Sequence, residues 1–205
     1  MDKHDLMKQV RDDIVACTAC NLCKTRINPV IGKGSHNAKV LFIGEAPGET
    51  EDKTAIPFCG TSGKKLDSLL SSAKIDVNDI YICNVIKCRP PQNRDPNDKE
   101  KNACLSFLTR QIDIIKPSMV VCLGKQSAET ILRIFGVMDG ISSMASVRGK
   151  IFEPGEDFKK VSLMIGDVGN AALKIMVTYH PAALLYNNSL LPNAQKDFQE
   201  IKKYI

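Results

Sequence analysis

Four continuous apolar runs, separated by stretches with helical periodicity, constrain the fold of this chain most. The runs are KVLFIG (Lys39 to Gly44), IYICNVI (Ile80 to Ile86), MVVCLG (Met119 to Gly124) and LKIMVTYH (Leu173 to His180). They are rich in β-branched residues and do not alternate with polar ones, which is typical of strands buried on both faces. We therefore interpret all four as strands of one buried sheet.

The stretches between the runs carry apolar residues at helical spacing. Strands that alternate with helices predict right-handed crossovers and a parallel sheet covered by helices on both faces. The irregular stretch from Gly136 to Gly169 is expected to hold a hairpin around Val147–Phe152 and Val161–Ile165. The predicted helices begin near Leu6, at Ser62 as a cap, at the pair Asp95-Pro96, at Lys125 and at Asn193.

Length and composition limit the class of protein. The chain has 205 residues, 43% of them apolar and 25% charged, which predicts one globular domain over residues 1–205. No stretch approaches about 18 consecutive apolar residues, so we expect no membrane partner. The start, MDKHDLMKQVRDD, resembles neither a secretory signal nor a transit peptide, and we expect a monomeric, cytoplasmic protein. The net charge of +5 is compatible with a nucleic-acid partner but is weak evidence alone.

Unusual sequences follow each predicted strand. GEAPGETED follows the first, Asn84 and KCRPPQNR end the second, Gly124-Lys125 ends the third and His180-Pro181 ends the fourth. Ligands of open parallel sheets bind beyond the carboxyl ends of the strands. The four loops are therefore predicted to converge on one cleft.

Two pairs of cysteines have the spacing of metal ligands. Cys17 and Cys20 are separated by two residues, and Cys88 and Cys104 form a second pair. Disulfides rarely persist in a reducing compartment, so such thiols more often bind metal. The spacing suits tetrahedral zinc or the corners of a 4Fe-4S cluster, and it separates the two poorly.

The other four cysteines are predicted to have different places. Cys83 and Cys122 lie inside apolar strands, where cysteine behaves as a small buried hydrophobe. Cys23 lies close to Cys20, and Cys59 lies in a loop, so either is an alternative metal ligand.

Three segments resemble a known family. GEAPGETEDKTAIPFCG, YICNVIKCRPPQNRDP and TYHPAALL, together with the cysteine spacing, resemble the family 4 uracil-DNA glycosylases, the thermostable type that carries an iron–sulfur cluster. The resemblance runs from about Cys17 to the C-terminus and is weakest over Gly136–Gly169. It implies an α/β/α sandwich around a four-stranded parallel sheet and removal of uracil from DNA. It also implies a 4Fe-4S cluster on Cys17, Cys20, Cys88 and Cys104.

The chemistry of base excision assigns roles to three residues. Phe58 would stack on the extruded base, because an aromatic face accepts any base. Asn84 would read the base edge, since an amide accepts from uracil N3–H and donates to O4. His180 would stabilise the departing uracil anion by donating to O2. The structural alternatives are a loop aromatic folded over the core, an amide that satisfies a strand end, and a histidine bonded within its own loop.

Roles in the loop after the first strand are less determined by the sequence. Ala46 is expected to contact uracil, and it stands where better-known uracil glycosylases have a residue that positions water, which alanine does not do. Glu45 is the adjacent candidate, or it serves the amides of its own loop, in which case the backbone of Gly44–Gly48 holds uracil O2 or the water. Glu51 resembles a family residue near uracil C5, where it would exclude the thymine methyl, and its alternative is a solvated acidic turn.

DNA contacts are predicted in two loops. Leu184 or Leu185 would enter the minor groove as an apolar wedge, although Tyr186 stands where the family often has a basic residue, and the leucines would otherwise pack on the last helix. Two segments, Val85–Arg94 and Val168–Lys196, contain no carboxylate, which suits a wall that faces phosphates. The predicted DNA contacts in the first segment are Arg89, Asn93 and Arg94, and that segment also contains Lys87.

Two other functions remain open at this point. A related glycosylase that traps itself on the abasic sugar carries a histidine-bearing insertion, which the stretch Ser146–Lys150 lacks. A non-catalytic iron–sulfur or zinc module that binds nucleic acid is the second alternative. Phe58, Asn84 and His180 together argue against such a module. The expected substrate is uracil-containing DNA, single- or double-stranded.

Overall fold

Four parallel strands form the centre of the sheet, as the apolar runs predict. In a computed structural model, which describes residues 1–155 and 173–205, these strands are β2 (Val40–Gly44), β3 (Ile80–Asn84), β4 (Met119–Leu123) and β6 (Lys174–Thr178). Every residue of β2, β3 and β4 is buried. The continuous apolar runs therefore reflect strands that are covered on both faces.

Two short edge strands enlarge the sheet beyond the four predicted strands. β1 (Lys33–Gly34) pairs antiparallel with β3, and β5 (Ile151–Phe152) pairs antiparallel with β6. The sheet therefore has six strands in the order β1-β3-β2-β4-β6-β5. The expectation of four strands was wrong in count because two-residue strands have no readable periodicity. The predicted hairpin partner Val161–Ile165 lies outside the described residues.

Helices cover both faces of this sheet, which confirms the three-layer α/β/α architecture. The helices of the described residues are α1 (Lys3–Ala16), α2 (Glu49–Thr54), α3 (Thr61–Ser72), α4 (Asp98–Ile115), α5 (Lys125–Ile134), α6 (Met144–Val147), α7 (Ala183–Tyr186) and α8 (Leu191–Lys202). Alternate residues of β2 separate the two cores: Leu41 and Ile43 pack with α1, α4 and α5, whereas Val40 and Phe42 pack with α3 and α8. The ring of Phe42 stacks on Phe198 at 5.7 Å between centroids.

Helix starts differ from the predicted caps. Asn97 caps α4, because its side chain accepts from the amide of Glu100 while the Glu100 carboxylate accepts from the amide of Asn97. Because this reciprocal pair caps the helix at Asn97, α4 begins at Asp98 and not at the expected pair Asp95-Pro96. Gly60 rather than Ser62 precedes α3. Among the helices of the described residues, none is long and apolar enough to cross a membrane.

The strand order places a crevice at the carboxyl edge of the sheet. Among the four parallel strands the chain begins at β2, continues to β3 on one side of it and later to β4 on the other side. Ligands of such sheets bind outside the strand ends at this reversal. The loops after β2, β3, β4 and β6 therefore meet at one edge, as predicted.

Candidate active site

Gly44, the last residue of β2, lets two of the predicted site residues meet. A Cβ atom at this position would lie 2.4 Å from Asn84 Oδ1 and 2.6 Å from Cζ of Phe58. No side chain fits that space, so the glycine forms the floor where the amide and the aromatic ring converge. The structure thus brings together residues that are 26 positions apart in the sequence.

Asn84 presents an unused acceptor to this floor. The residue ends β3 and is only 2% exposed. Its Oδ1 atom is the one buried side-chain nitrogen or oxygen of the described residues without a hydrogen-bond partner. Leaving such an atom unpaired costs about 1–3 kcal/mol, so the site is arranged for a donor supplied from outside the chain.

Phe58 is held in place by its backbone. It adopts a left-handed conformation with φ +49°, which is costly for an aromatic residue. Lys33 Nζ donates to the Phe58 carbonyl at 3.0 Å, and Glu51 Oε1 accepts from the amides of Cys59 and Gly60 at 3.1 and 2.9 Å. These three bonds offset the strain and keep the buried ring beside Gly44.

His180 lies across from Phe58 with its ring in a defined state. The two ring centroids are 5.8 Å apart. Nδ1 accepts from the amide of Ala182 at 3.1 Å, which leaves the proton of the neutral ring on Nε2. Burial lowers the pKa of His180 to about 4, against a smaller opposing effect of Glu51. The imidazole is therefore neutral near pH 7, and its Nε2–H group is able to donate a hydrogen bond to an anion.

Gly124 makes room for His180. This residue has φ +90°, and a Cβ there would lie 2.9 Å from the Cβ of His180. Both the left-handed backbone and the close approach therefore require glycine. The loop after β4 therefore supports His180, which follows β6. This loop belongs to the site because it positions the histidine, although it contributes no catalytic side chain.

Glu45 follows Gly44 in the sequence, and the pKa of its carboxyl is raised. Desolvation raises the pKa of this half-buried carboxyl to about 7, with a further increase from Asp95 and a decrease from Lys101. A carboxyl that titrates near neutrality has the property required of a general base. The neighbouring Ala46 packs against the core beside α1, α4 and α5, and its methyl group has no catalytic chemistry.

Glu51 has a structural task that the sequence did not reveal. Its Oε1 atom holds the loop that carries Phe58, so this carboxylate is not a free member of a solvated acidic turn. The predicted contact with uracil C5 stays a prediction.

The predicted metal-ligating cysteines meet in one small cavity. Cys17, Cys20, Cys88 and Cys104 line it together with Cys23, Arg26 and Lys87. All eight cysteines are free thiols. Cys83 and Cys122 are fully buried in the core, as expected, and Cys59 contacts Thr54 instead. Within residues 1–155 and 173–205, no group of three or more histidine, cysteine, aspartate or glutamate side chains is arranged to hold a single metal ion.

Comparison with known proteins gives the family. A model of the uracil DNA glycosylase superfamily matches residues 31–205. Type-4 uracil-DNA glycosylases of Archaeoglobus fulgidus and Thermotoga maritima are both 39% identical to the chain, over 92% and 99% of its length and 88% and 96% of theirs. The chain belongs to the type-4 uracil-DNA glycosylase family. A type-5 uracil-DNA glycosylase of Pyrobaculum aerophilum is 29% identical over 80% of this chain and 70% of its own.

In this type-4 glycosylase the two predicted wedge leucines have different places. Leu184 is 2% exposed and packs in the core beside α3 and α8, so its assignment as a DNA contact was wrong. Leu185 is 45% exposed and Tyr186 is 90% exposed. A helix as short as α7 presents too few residues for its buried face to be read from sequence. Leu185 remains a candidate wedge, with Tyr186 beside it.

The predicted phosphate-facing wall of the type-4 glycosylase is partly neutralised. Arg94 makes a two-pronged ion pair with Glu100 at 2.9 and 2.6 Å. Arg89 donates to Asn93 at 2.8 Å and lies 3.7 Å from a carboxylate oxygen of Glu49. Residues Val85–Arg94 include no carboxylate, but Glu100 of α4 and Glu49 of α2 place carboxylates beside the two arginines. Of the two arginines, Arg89 has the weaker carboxylate contact and is the better phosphate candidate.

Lys87 does not belong to this wall. It is only 1% exposed, and it lies inside the protein between the cysteine cavity and Asn84. A lysine in a basic loop suggests a surface charge, and only the tertiary structure shows otherwise.

Proposed function

We propose that this protein removes uracil from DNA, in single or double strands, by hydrolysing the N-glycosidic bond. The unpartnered, buried Oδ1 of Asn84 is the observation that supports this most strongly, because it lies at Gly44 beside Phe58, whose ring centroid is 5.8 Å from that of His180. The names of the type-4 relatives agree with the same activity. To reach this site, the base must leave the duplex stack, at a cost of a few kcal/mol.

Recognition rests on Asn84. Uracil N3–H donates to Oδ1, which otherwise lacks a partner, and the amide nitrogen donates to uracil O4. Cytosine has an acceptor at N3 and a donor at position 4, so both contacts would be mismatched. Sites built on such buried hydrogen bonds discriminate by factors on the order of 10⁴. Phe58 supplies a stacking surface worth about 1–3 kcal/mol.

Cleavage rests on His180 and Glu45. As the bond from C1′ to N1 breaks, the electron pair goes to uracil, and Nε2–H of His180 donates to the oxygen at position 2. A water oxygen then bonds to C1′. Ionised Glu45 orients this water and accepts its proton, which its pKa of about 7 permits near neutral pH.

We further propose that Cys17, Cys20, Cys88 and Cys104 bind a 4Fe-4S cluster. One zinc ion would need its four sulfur atoms about 3.8 Å apart, which follows from Zn–S bonds of about 2.3 Å. The thiols instead surround a cavity, and no described group is arranged for one ion. Such a cluster binds each thiolate to a different iron, so its ligands lie around a central space. It would join the segment after α1 to β3 and α4.

Two experiments test these proposals. Oligonucleotides with one uracil, single-stranded or paired with guanine or adenine, should acquire an alkali-labile site, while cytosine and thymine controls should not. Absence of cleavage on every uracil substrate would refute the activity.

The purified protein should be brown and contain iron and acid-labile sulfide, and Cys88→Ser should lower the content of both as well as the yield of soluble protein. A colourless, zinc-loaded and active native protein would refute the cluster.

A further inference from the structure

Lys87 is a buried cation without a carboxylate partner. Its side chain is 1% exposed. The ion pairs of the described residues do not include it. Burial of an unpaired ammonium is strongly unfavourable, so a protein that retains one has a use for it. Its neighbours on two sides indicate what that use is.

One side of Lys87 is the strand end that carries the base reader. Nζ donates to the carbonyl of Asn84 at 2.7 Å and to Oε1 of Gln111 at 2.6 Å. Gln111 is itself oriented, since its amide nitrogen donates to the carbonyl of Ile31 at 3.0 Å and to the hydroxyl of Tyr81 at 3.4 Å. The ammonium is thus fixed from α4 and in turn fixes the backbone of Asn84.

The other side of Lys87 is the cysteine cavity. Lys87 lines that cavity and precedes Cys88 in the sequence. Arg26 is a second cation there, donating to Sγ of Cys88 at 3.1 Å. If the cysteines of this cavity bind the proposed cluster as thiolates, the two cations would supply positive charge to them, and the thiolates would supply the counter-charge that Lys87 lacks. Arg26 differs in one respect, because its other hydrogen bonds go to the carbonyls of Ile14 and Val15 in α1 and not to Asn84.

We propose that Lys87 is a positioning residue for uracil recognition, fixing the Asn84 backbone while the thiolate cluster balances its charge. The inference rests on the proposed function. Discrimination between bases needs the Asn84 amide held to within a fraction of an ångström, and a charged donor on the backbone of the same residue provides this. The proposed cluster site would therefore support base recognition through Lys87, in addition to joining separate segments of the chain.

The test compares Lys87→Met with Arg26→Met in the holoprotein. Both variants remove a cation beside the thiols, and both should release iron to a chelator faster than the native protein. Base recognition is measured as the ratio of affinities for oligonucleotides that carry a 2′-fluorinated, non-cleavable uridine or cytidine. Lys87→Met should lower this ratio about tenfold, the value of one hydrogen bond from a charged donor, whereas Arg26→Met should leave it unchanged.

A double-mutant cycle shows whether Lys87 acts through Asn84. The same change at Lys87 should have no effect on the affinity ratio when Asn84 is already alanine. Equal effects in both backgrounds, or an unchanged ratio with Asn84 intact, would overturn the proposal. If Lys87→Met is insoluble, Lys87→Gln, which is too short to reach the carbonyl, should give the same non-additive result. A native protein that does not distinguish the two bases would instead refute the proposed function, and the iron-release comparison would still test the link to the thiols.

Discussion

Glu45→Gln should remove most of the pH dependence of uracil excision. Burial holds the pKa of Glu45 at about 7, well above that of an exposed glutamate. The carboxyl is neutral below that value and ionised above it, so the rate should rise with pH if the ionised form orients the water. At about pH 5, roughly 1% of the carboxyls are ionised, and the rate should be about 100-fold below its plateau at high pH.

Single-turnover excision from a labelled uracil oligonucleotide, between about pH 5 and pH 9, measures this profile. His180, with its pKa of about 4, stays neutral throughout and adds no second step. Glu45→Gln should be slower than the native protein at high pH and nearly independent of pH. A flat native profile, or a variant that keeps the native profile, would show that Glu45 does not act as the base.

Three further predictions concern neighbouring residues. His180→Ala should lower the single-turnover rate by about 10²–10³ with little change in DNA affinity, because the lost bond matters mainly in the transition state; a native rate with poor binding would move this residue to the DNA interface. Leu184→Ala should destabilise the protein by about 2–5 kcal/mol in denaturant titrations, whereas Leu185→Ala should leave stability unchanged and weaken binding to duplex uracil DNA, and the reverse pattern would contradict the burial assigned to them. Arg89→Gln should lower the salt dependence of DNA binding by roughly one unit while uracil preference survives, and an unchanged salt slope would exclude the phosphate contact.

The central architecture could be predicted because it depends on patterns of many residues. The runs that became β2, β3, β4 and β6 are long enough for burial on both faces to be visible in composition. Their common direction then placed Asn84 and His180 at one edge, since parallel strands end together. Edge strands of two residues carry no such pattern, and the sequence therefore suggested a smaller sheet.

The parts that sequence did not predict depend on single contacts between distant segments. Lys87 appears basic and accessible in its loop, and its burial follows from Gln111 and the cysteine cavity. The sequence places Glu51 in an acidic turn, and only the tertiary structure shows that its Oε1 atom accepts from the amides of Cys59 and Gly60. Such long-range hydrogen bonds leave no local signal, whereas the Asn inside an apolar strand did, because an unpaired amide there is costly.

The base preference of Asn84→Asp tests the central claim most directly. Excision of uracil and of cytosine is measured on matched single-stranded oligonucleotides. The control is Asn78→Asp, the same substitution at an exposed asparagine that lies just before the first residue of β3. The Asn84→Asp variant loses the donor to O4, and when protonated it offers a donor to cytosine N3 while its other oxygen accepts from N4. We therefore predict slower uracil excision and a preference shifted towards cytosine, with native behaviour in the control. Native uracil rate and preference in Asn84→Asp would contradict the assignment of this residue as the reader of uracil.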